Sequence, residues 1–322
     1  VGPTNNSNWL EGPVLVRTPA TSANLGPGFD SLGLALSLYD DVEVEVGAAG
    51  GGLTIEVDGE GAEVADRAER HLIVKVLRRA FDLLDGLAGT GPVTRPDGLR
   101  LRCRNRIPHS RGLGSSSAAI VAGIVAARAL HPAGKLLGDD EALRLATEIE
   151  GHPDNVAPCL AGGLTVAWTT PRGPRLVRLE TQITQVTAFV PEQRLATERA
   201  RGLLPETVPH GDAAANAGRA ALLIAALTGG LDADVLLDAT EDRLHQTYRA
   251  PAMPESAALV GRLRAAGVPA VISGAGPTVL AFTSASRVDS IVPEVGNGWL
   301  KHPLDVATRG ARVVAGESEF RP

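Results

Sequence analysis

The sequence predicts an α+β fold, with strands and helices gathered in groups instead of alternating one by one. Three observations support this. Strand-like runs of period two cluster at residues 14–17, 42–46 and 53–57. Helical spacing recurs within residues 212–266. Glycine turns at residues 50–52 and within residues 271–280 join strand-like runs directly, as hairpins do.

The elements follow in order. Residues 14–17 read as a first strand, followed by a long polar loop over 18–28. Residues 42–46 alternate apolar with acidic side chains, 53–57 repeat the period, and Gly50, Gly51 and Gly52 make a hairpin between them plausible. Over residues 71–84, Leu72, Val76, Leu77, Ala80 and Leu84 line one helical face. A short strand at 99–103 leads into a glycine-serine turn and an apolar, helix-like stretch ending near Leu130. Residues 139–149 start with acidic side chains and stop before Gly151, which suits a helix and its C′ glycine. A strand returns at 163–168. Pro171, Gly173 and Pro174 then mark either a domain boundary or a hairpin tip. Taken as a boundary, they divide the chain into a flexible tail at 1–13, a first domain at 14–172 and a second at 173–322. The second half carries helices near 212–227, 232–248 and 255–266, and strands at 186–190, 270–273, 279–282 and 311–314.

The chain has 322 residues, 44% hydrophobic and 21% charged, a profile suited to a globular core of ordinary size. A formal net charge of −6, with no basic tail, argues against nucleic acid as a partner. Cys103 and Cys159 form no C-x-x-C pair and read as free thiols in a reducing compartment. No apolar run is long enough to span a membrane, and residues 1–13 lack the basic start and apolar middle of a secretion signal. The expected location is the cytoplasm, without a membrane partner.

The segment from Pro108 to Ala119 reads Pro-His-Ser-Arg-Gly-Leu-Gly-Ser-Ser-Ser-Ala-Ala. Its glycines let successive backbone N–H groups converge, and the following helix aims its positive end at the same point. That is an anion site suited to nucleotide phosphates. It is not a P-loop, because the three lysines, Lys75, Lys135 and Lys301, all lie elsewhere in the sequence. It is not a dinucleotide fingerprint either, since Ser117 stands where a third glycine belongs. Backbone dipoles, a metal and Arg111 are left to meet the charge, and the serines either cap the helix or hold a metal-bound phosphate.

Three further segments carry polar groups. In residues 18–34, Asn24 and Asp30 suit a ligand with an ammonium group and hydroxyls, or else stabilise turns. Residues 148–155 read Glu-Ile-Glu-Gly-His-Pro-Asp-Asn, where Glu148 or Glu150 fits the one or two carboxylates that Mg²⁺ takes. Zinc is disfavoured for want of a second histidine or a cysteine at ligand spacing. Pro153 forces His152 out of helical geometry, so a rigid loop is expected there. In residues 271–280, Gly274 and Gly276 permit close backbone approach, or form a simple hairpin turn.

Together these segments resemble the homoserine kinases, a branch of the GHMP small-molecule kinase superfamily. The resemblance runs from Val14 to Val314. It rests on Pro-Ala-Thr-Ser-Ala-Asn-Leu-Gly-Pro-Gly-Phe-Asp, Gly-Leu-Gly-Ser-Ser-Ser-Ala, Glu-Gly-His-Pro-Asp-Asn-Val-Ala-Pro and Ser-Gly-Ala-Gly-Pro-Thr. It implies a two-domain α+β GHMP kinase fold, with a ribosomal S5 domain 2-like N-terminal half and a ferredoxin-like C-terminal half. It further implies transfer of a phosphoryl group from ATP to the hydroxyl of L-homoserine in threonine biosynthesis, with Mg²⁺ as cofactor. A homoserine analogue or another hydroxy acid is the alternative acceptor, and homodimers are common among relatives.

Carried over residue by residue, the resemblance puts ATP on Pro108, Arg111, Gly112, Leu113, Gly114, Ser115, Ser116, Ser117 and Ala118. It makes Ser116 and Glu148 the Mg²⁺ ligands, Glu148 being preferred for its spacing to His152. It assigns the amino acid to Asn24, Asp30, His152, Thr197, Arg201 and Arg249, with Gly274 and Gly276 as a structural glycine loop. Asn155 would lie near the reacting hydroxyl. Asp154 matches a base in some superfamily relatives, and here is expected to tune the loop.

Overall fold

The computed structural model describes residues 9–10, 12–47, 50–63, 68–89, 96, 98–291 and 299–314. Of the flexible tail expected at 1–13, residues 9, 10, 12 and 13 are described, and two of these are tied down: Trp9 is buried edge-on against Phe81 and His131, and Leu10 N donates to Leu130 O at 3.1 Å. The first half contains strands β1 (Val14–Ala23), β2 (Leu32–Gly47) and β3 (Leu53–Gly59), helix α1 (Leu72–Ala88) and strand β4 (Gly98–Asn105). Helices α2 (Ser115–Leu130), α3 (Asp139–Glu150) and α4 (Pro153–Ala161) follow, then the hairpin β5 (Leu164–Thr170) and β6 (Gly173–Leu179). The second half runs through β7 (Gln185–Pro191), α5 (Thr197–Arg201), α6 (His210–Gly229), α7 (Ala233–Ala239) and α8 (Gln246–Arg249). It continues with α9 (Pro254–Ala265), β8 (Ala270–Ile272), β9 (Val279–Ala281), α10 (Ala285–Ile291), β10 (Trp299–Asp305) and β11 (Arg312–Val313).

The α+β expectation holds, and two sheets carry it. The first is seven-stranded, in the order β11-β1-β2-β4-β3, with the β5–β6 hairpin attached to β2. The long β2 serves two neighbours in turn: Leu32–Leu34 pair with β5, and Asp41–Gly47 pair with β4. The second sheet is four-stranded, in the order β10-β7-β9-β8. Among the described residues, no helix is long and apolar enough to cross a membrane.

Several elements differ from the sequence reading, each for a local reason. The expected loop at 18–28 is a strand as far as Ala23. Its small polar residues Thr18, Thr21 and Ser22 are fully buried, and the register shift at Pro19/Ala20 accommodates the proline. The glycines at 50–52 do not close a hairpin, because β3 runs parallel to β4, which separates it from β2. Pro171 and Arg172 form a hairpin tip closed by the Thr170–Gly173 pair, so a division at 172/173 would cut the first sheet. The single helix expected over 232–248 is two. Asp242 accepts the N–H groups of Leu244, His245 and Gln246, which competes with helix continuation. Strand β10 escaped detection because Pro303 interrupts its pattern, and an edge strand tolerates that residue. The short helices α5 and α10 were not anticipated either.

Helix α2 is apolar all round and packs between α1 and β1, with Ser116 its only exposed residue. Burial therefore fixes the helix and leaves its N-terminal turn open to solvent.

Candidate active site

That open end forms one wall of a cleft of about 350 Å³. Gly114 caps α2 in the left-handed region at φ 72°, and a Cβ there would lie 2.0 Å from Thr21 Oγ1. Gly112 is equally confined. At φ 77°, its added Cβ would meet Ser273 O at 2.2 Å. The glycine turn between β8 and β9 braces this loop: Ser273 Oγ donates to Gly112 O at 2.6 Å and Gly274 N to Ala23 O at 3.0 Å. Of the two readings of Gly274 and Gly276, close backbone approach is realised within an ordinary hairpin. The serines of α2 do not cap it. Ser116 and Ser117 both donate to Glu150 Oε1 at 2.8 Å.

The second wall is the start of α4. The expected rigid loop is this helix's N-terminus, with Pro153 in the first turn and His152 extended before it (φ −151°, ψ 150°). Asn155 Oδ1 accepts from the buried Thr21 Oγ1 at 2.8 Å, which turns the Asn155 amide toward the glycine loop. Asp154 is 1% exposed and its Oδ1 lies 2.5 Å from His152 Nδ1. Burial works against a charged His152, but the bond to Asp154 and its charge outweigh that, raising the imidazole pKa above 6.5.

The third wall is built from side chains. Arg201 at the end of α5 donates through Nη2 and Nη1 to the two Asp30 oxygens, at 2.5 and 3.1 Å. That bond holds its guanidinium pKa above the usual value. Arg249 is 3% exposed, donates to Gly274 O at 3.3 Å, and has its pKa lowered chiefly by burial. Asn24 bridges the wall: Nδ2 donates to Gly274 O and Oδ1 accepts from Asp30 N, both at 2.9 Å. Asp30, His152 and Asp154 approach within 4.8 Å of one another. Their bonds to Arg201 and to each other already account for that closeness.

Of the sequence-expected residues, Asn24, Gly112, Gly114, Ser115, Ser116, His152, Asp154, Asn155, Thr197, Arg201, Arg249 and Gly274 all line the cleft. Asp30 reaches it through Arg201. Others do not face it. Glu148 is exposed and paired with Arg79 at 2.7 Å, while Glu150 lines the cleft. Glu150 follows the buried Ala146 by one helical turn, and that spacing was the available signal. Arg111 is turned away, donating to the carbonyls of Pro191, Glu192 and His109, so it ties the loop to β7. With Pro108 it lines a separate cavity. Leu113 is fully buried and offers only its carbonyl, to Thr21 N. Gly276 packs against Met253.

A second cavity of about 280 Å³ shares Ser110, Ser115 and Ser116 with the cleft and is walled by Val42, Leu72, Ile73 and Ala118. No local pattern announces it, since its lining comes from four separated segments. Burial pulls the His109 pKa down there. It also drives Asp40 up to about 7, despite bonds to Asp40 Oδ1 from Arg106 and Ile107 N–H.

Comparison with known proteins places this geometry in a family. A model of the GHMP kinase N-terminal domain matches residues 71–163, and one of the GHMP kinase C-terminal domain matches 215–300. A homoserine kinase of Streptomyces avermitilis is 59% identical over 303 residues, 94% of this chain and 95% of that one. A solved structure from Listeria monocytogenes is 34% identical with a TM-score of 0.72, covering 94% of this chain and 99% of its own. The homoserine kinase structure from Cytophaga hutchinsonii, 24% identical, has the same fold at a TM-score of 0.77 over 98% of this chain and 100% of its own. The chain belongs to the homoserine kinase family of GHMP kinases.

Proposed function

We propose that the protein transfers the γ-phosphoryl group of ATP to the side-chain hydroxyl of L-homoserine, giving O-phospho-L-homoserine and ADP for threonine biosynthesis. The observation that carries this is one cleft with a backbone-built anion site on one wall and a carboxylate–guanidinium pair on another. The triphosphate would lie along Gly112–Ser116, its charge met by the N–H groups and dipole at the start of α2. The base would enter the adjoining cavity, whose apolar walls suit a purine face.

Ser116 and Glu150 fit Mg²⁺. Both offer oxygen, and their 2.8 Å separation is close to that of neighbouring ligands in an octahedron with bonds of ~2.1 Å. The ion would supply neutralisation of charge on the transferring group. The zwitterionic acceptor would exchange partners with the ion pair, its ammonium taking Asp30 and its carboxylate taking Arg201 and Arg249. Asn155 would then orient the hydroxyl beside the phosphate loop. Asp154 is occupied by His152, which favours a positioning role over that of a base. Phosphoryl transfer through a loose transition state needs positioning and neutralisation more than proton removal.

In this proposal the first domain continues through Leu179, and the enzyme works in the cytoplasm, where its two buried cysteines stay reduced. An ADP-release assay with ATP, Mg²⁺ and a panel of acceptors tests it. L-homoserine should give the highest kcat/KM. A hydroxy acid without an amino group outpacing it would refute the acceptor while leaving the kinase class standing.

A further inference from the structure

We infer that Phe29 is a positioning residue whose ring orients the guanidinium groups of Arg201 and Arg249 for the acceptor's carboxylate. The inference rests on the reading above that these two arginines face the acceptor.

Phe29 belongs to neither hydrophobic cluster of the protein and is only half-buried, so core filling does not explain it. Its ring is held from one side. The His245 imidazole stacks on it with centroids 4.0 Å apart and planes 5° from parallel. His245 is fixed in turn, with Nδ1 2.9 Å from Asp242 Oδ1. A guanidinium cannot enter between rings that close, so neither arginine lies between Phe29 and His245. The Arg249 and Arg201 Cζ atoms lie 4.8 and 5.2 Å from the ring centroid, inside the ~6 Å reach of a cation–π contact.

Arg249 needs such a partner. Among the described residues its buried Nε has no hydrogen-bond acceptor, and its one side-chain bond, to Gly274 O, is long at 3.3 Å. Arg201 also repels it, one reason its pKa falls. The negative face of an aromatic ring offsets repulsion between two cations without removing either charge. A carboxylate from Phe29's own position would neutralise them and compete with the substrate. An aromatic ring holds both arginines without taking up the N–H edges that donate to Asp30 and to Gly274 O.

The test is steady-state kinetics on Phe29→Leu and Phe29→Tyr in the full chain, alongside the unaltered protein. Phe29→Leu should raise the KM for L-homoserine about tenfold, with KM for ATP unchanged. Phe29→Tyr, which keeps the ring, should restore it to within about threefold. L-homoserine amide provides a readout independent of how much variant folds. The preference in kcat/KM for the carboxylate over the amide should shrink about tenfold in Phe29→Leu. An unchanged preference would overturn the inference, as would equal loss in both variants. If the unaltered protein releases no ADP with L-homoserine, the functional proposal fails instead, a distinct result.

Discussion

The wall proposed for the phosphates and the wall proposed for the acceptor are built on opposite principles. Around Gly112–Ser116 the groups proposed to bind are main-chain N–H donors fixed by a buried helix, and there is almost no room to move. A Cβ on Gly112 or Gly114 would overlap a neighbouring oxygen at 2.2 or 2.0 Å. Across the cleft, Asp30 and Arg201 are side chains about a third exposed (37% and 34%) that satisfy each other. An ion pair that exposed contributes on the order of 0–1 kcal/mol, so a zwitterion can part it at little cost. One wall is therefore preformed and intolerant, while the other is closed on itself and exchangeable. The difference matches the ligands proposed for each wall. A triphosphate of fixed charge suits rigid dipoles, whereas an amino acid brings both charges needed to replace the bond it breaks.

The contrast fails first if the phosphate wall proves tolerant. Gly112→Ala adds a methyl in the left-handed region against backbone, so the loop must shift by about 1 Å. A displacement of that size costs on the order of 10²-fold in kcat/KM or more. Activity near that of the unaltered protein would show that the loop is not rigid. The metal site comes next. Glu150→Gln should lower activity about 10²-fold and raise the Mg²⁺ concentration for half-maximal rate, while Glu148→Gln stays within about twofold. The reverse order would restore the sequence-based assignment.

Asp154→Asn separates positioning from proton transfer. Loss of a base costs about 10²–10⁴-fold, whereas weakening the His152 tether by removing its charge should cost about tenfold at most. Complete inactivity in a folded variant that binds both substrates would reassign Asp154 as the base.

The smallest effect concerns stability. The Asp40 carboxyl titrates near 3.8 when unfolded and about 7 when folded. The folded state therefore holds the extra proton, and stability falls as pH rises from about 4 to 7. Asp40→Asn, which keeps an acceptor for Arg106 and Ile107, should remove that decline. A Tm gain of about 6 °C at pH 8, vanishing near pH 4, is expected in thermal melts. A loss of stability at pH 8 would contradict the burial argument.

The same contrast explains what could be read from sequence. The phosphate wall was legible because it depends on glycine and serine at fixed spacing within one segment, and backbone chemistry needs little else. The acceptor wall joins Asp30, Arg201, Arg249 and Phe29 across more than 200 residues, so no local pattern reveals it. The arginines were found only through family resemblance. Strand β1 was cut short because Thr18–Ala23 looks polar, although tertiary packing buries all of it. Glu148 was chosen on family spacing, when the buried face of α3 already pointed to Glu150. In the sequence Pro153 suggests a break, yet in a first turn it helps to start helix α4.

The most direct check is an equilibrium titration of ATP into the folded protein, with and without Mg²⁺, repeated on Gly112→Ala. The geometry requires magnesium-dependent binding to the unaltered chain and loss of most of that affinity in the variant. Binding of ATP that is indifferent to both Mg²⁺ and the added methyl would show that the triphosphate lies elsewhere.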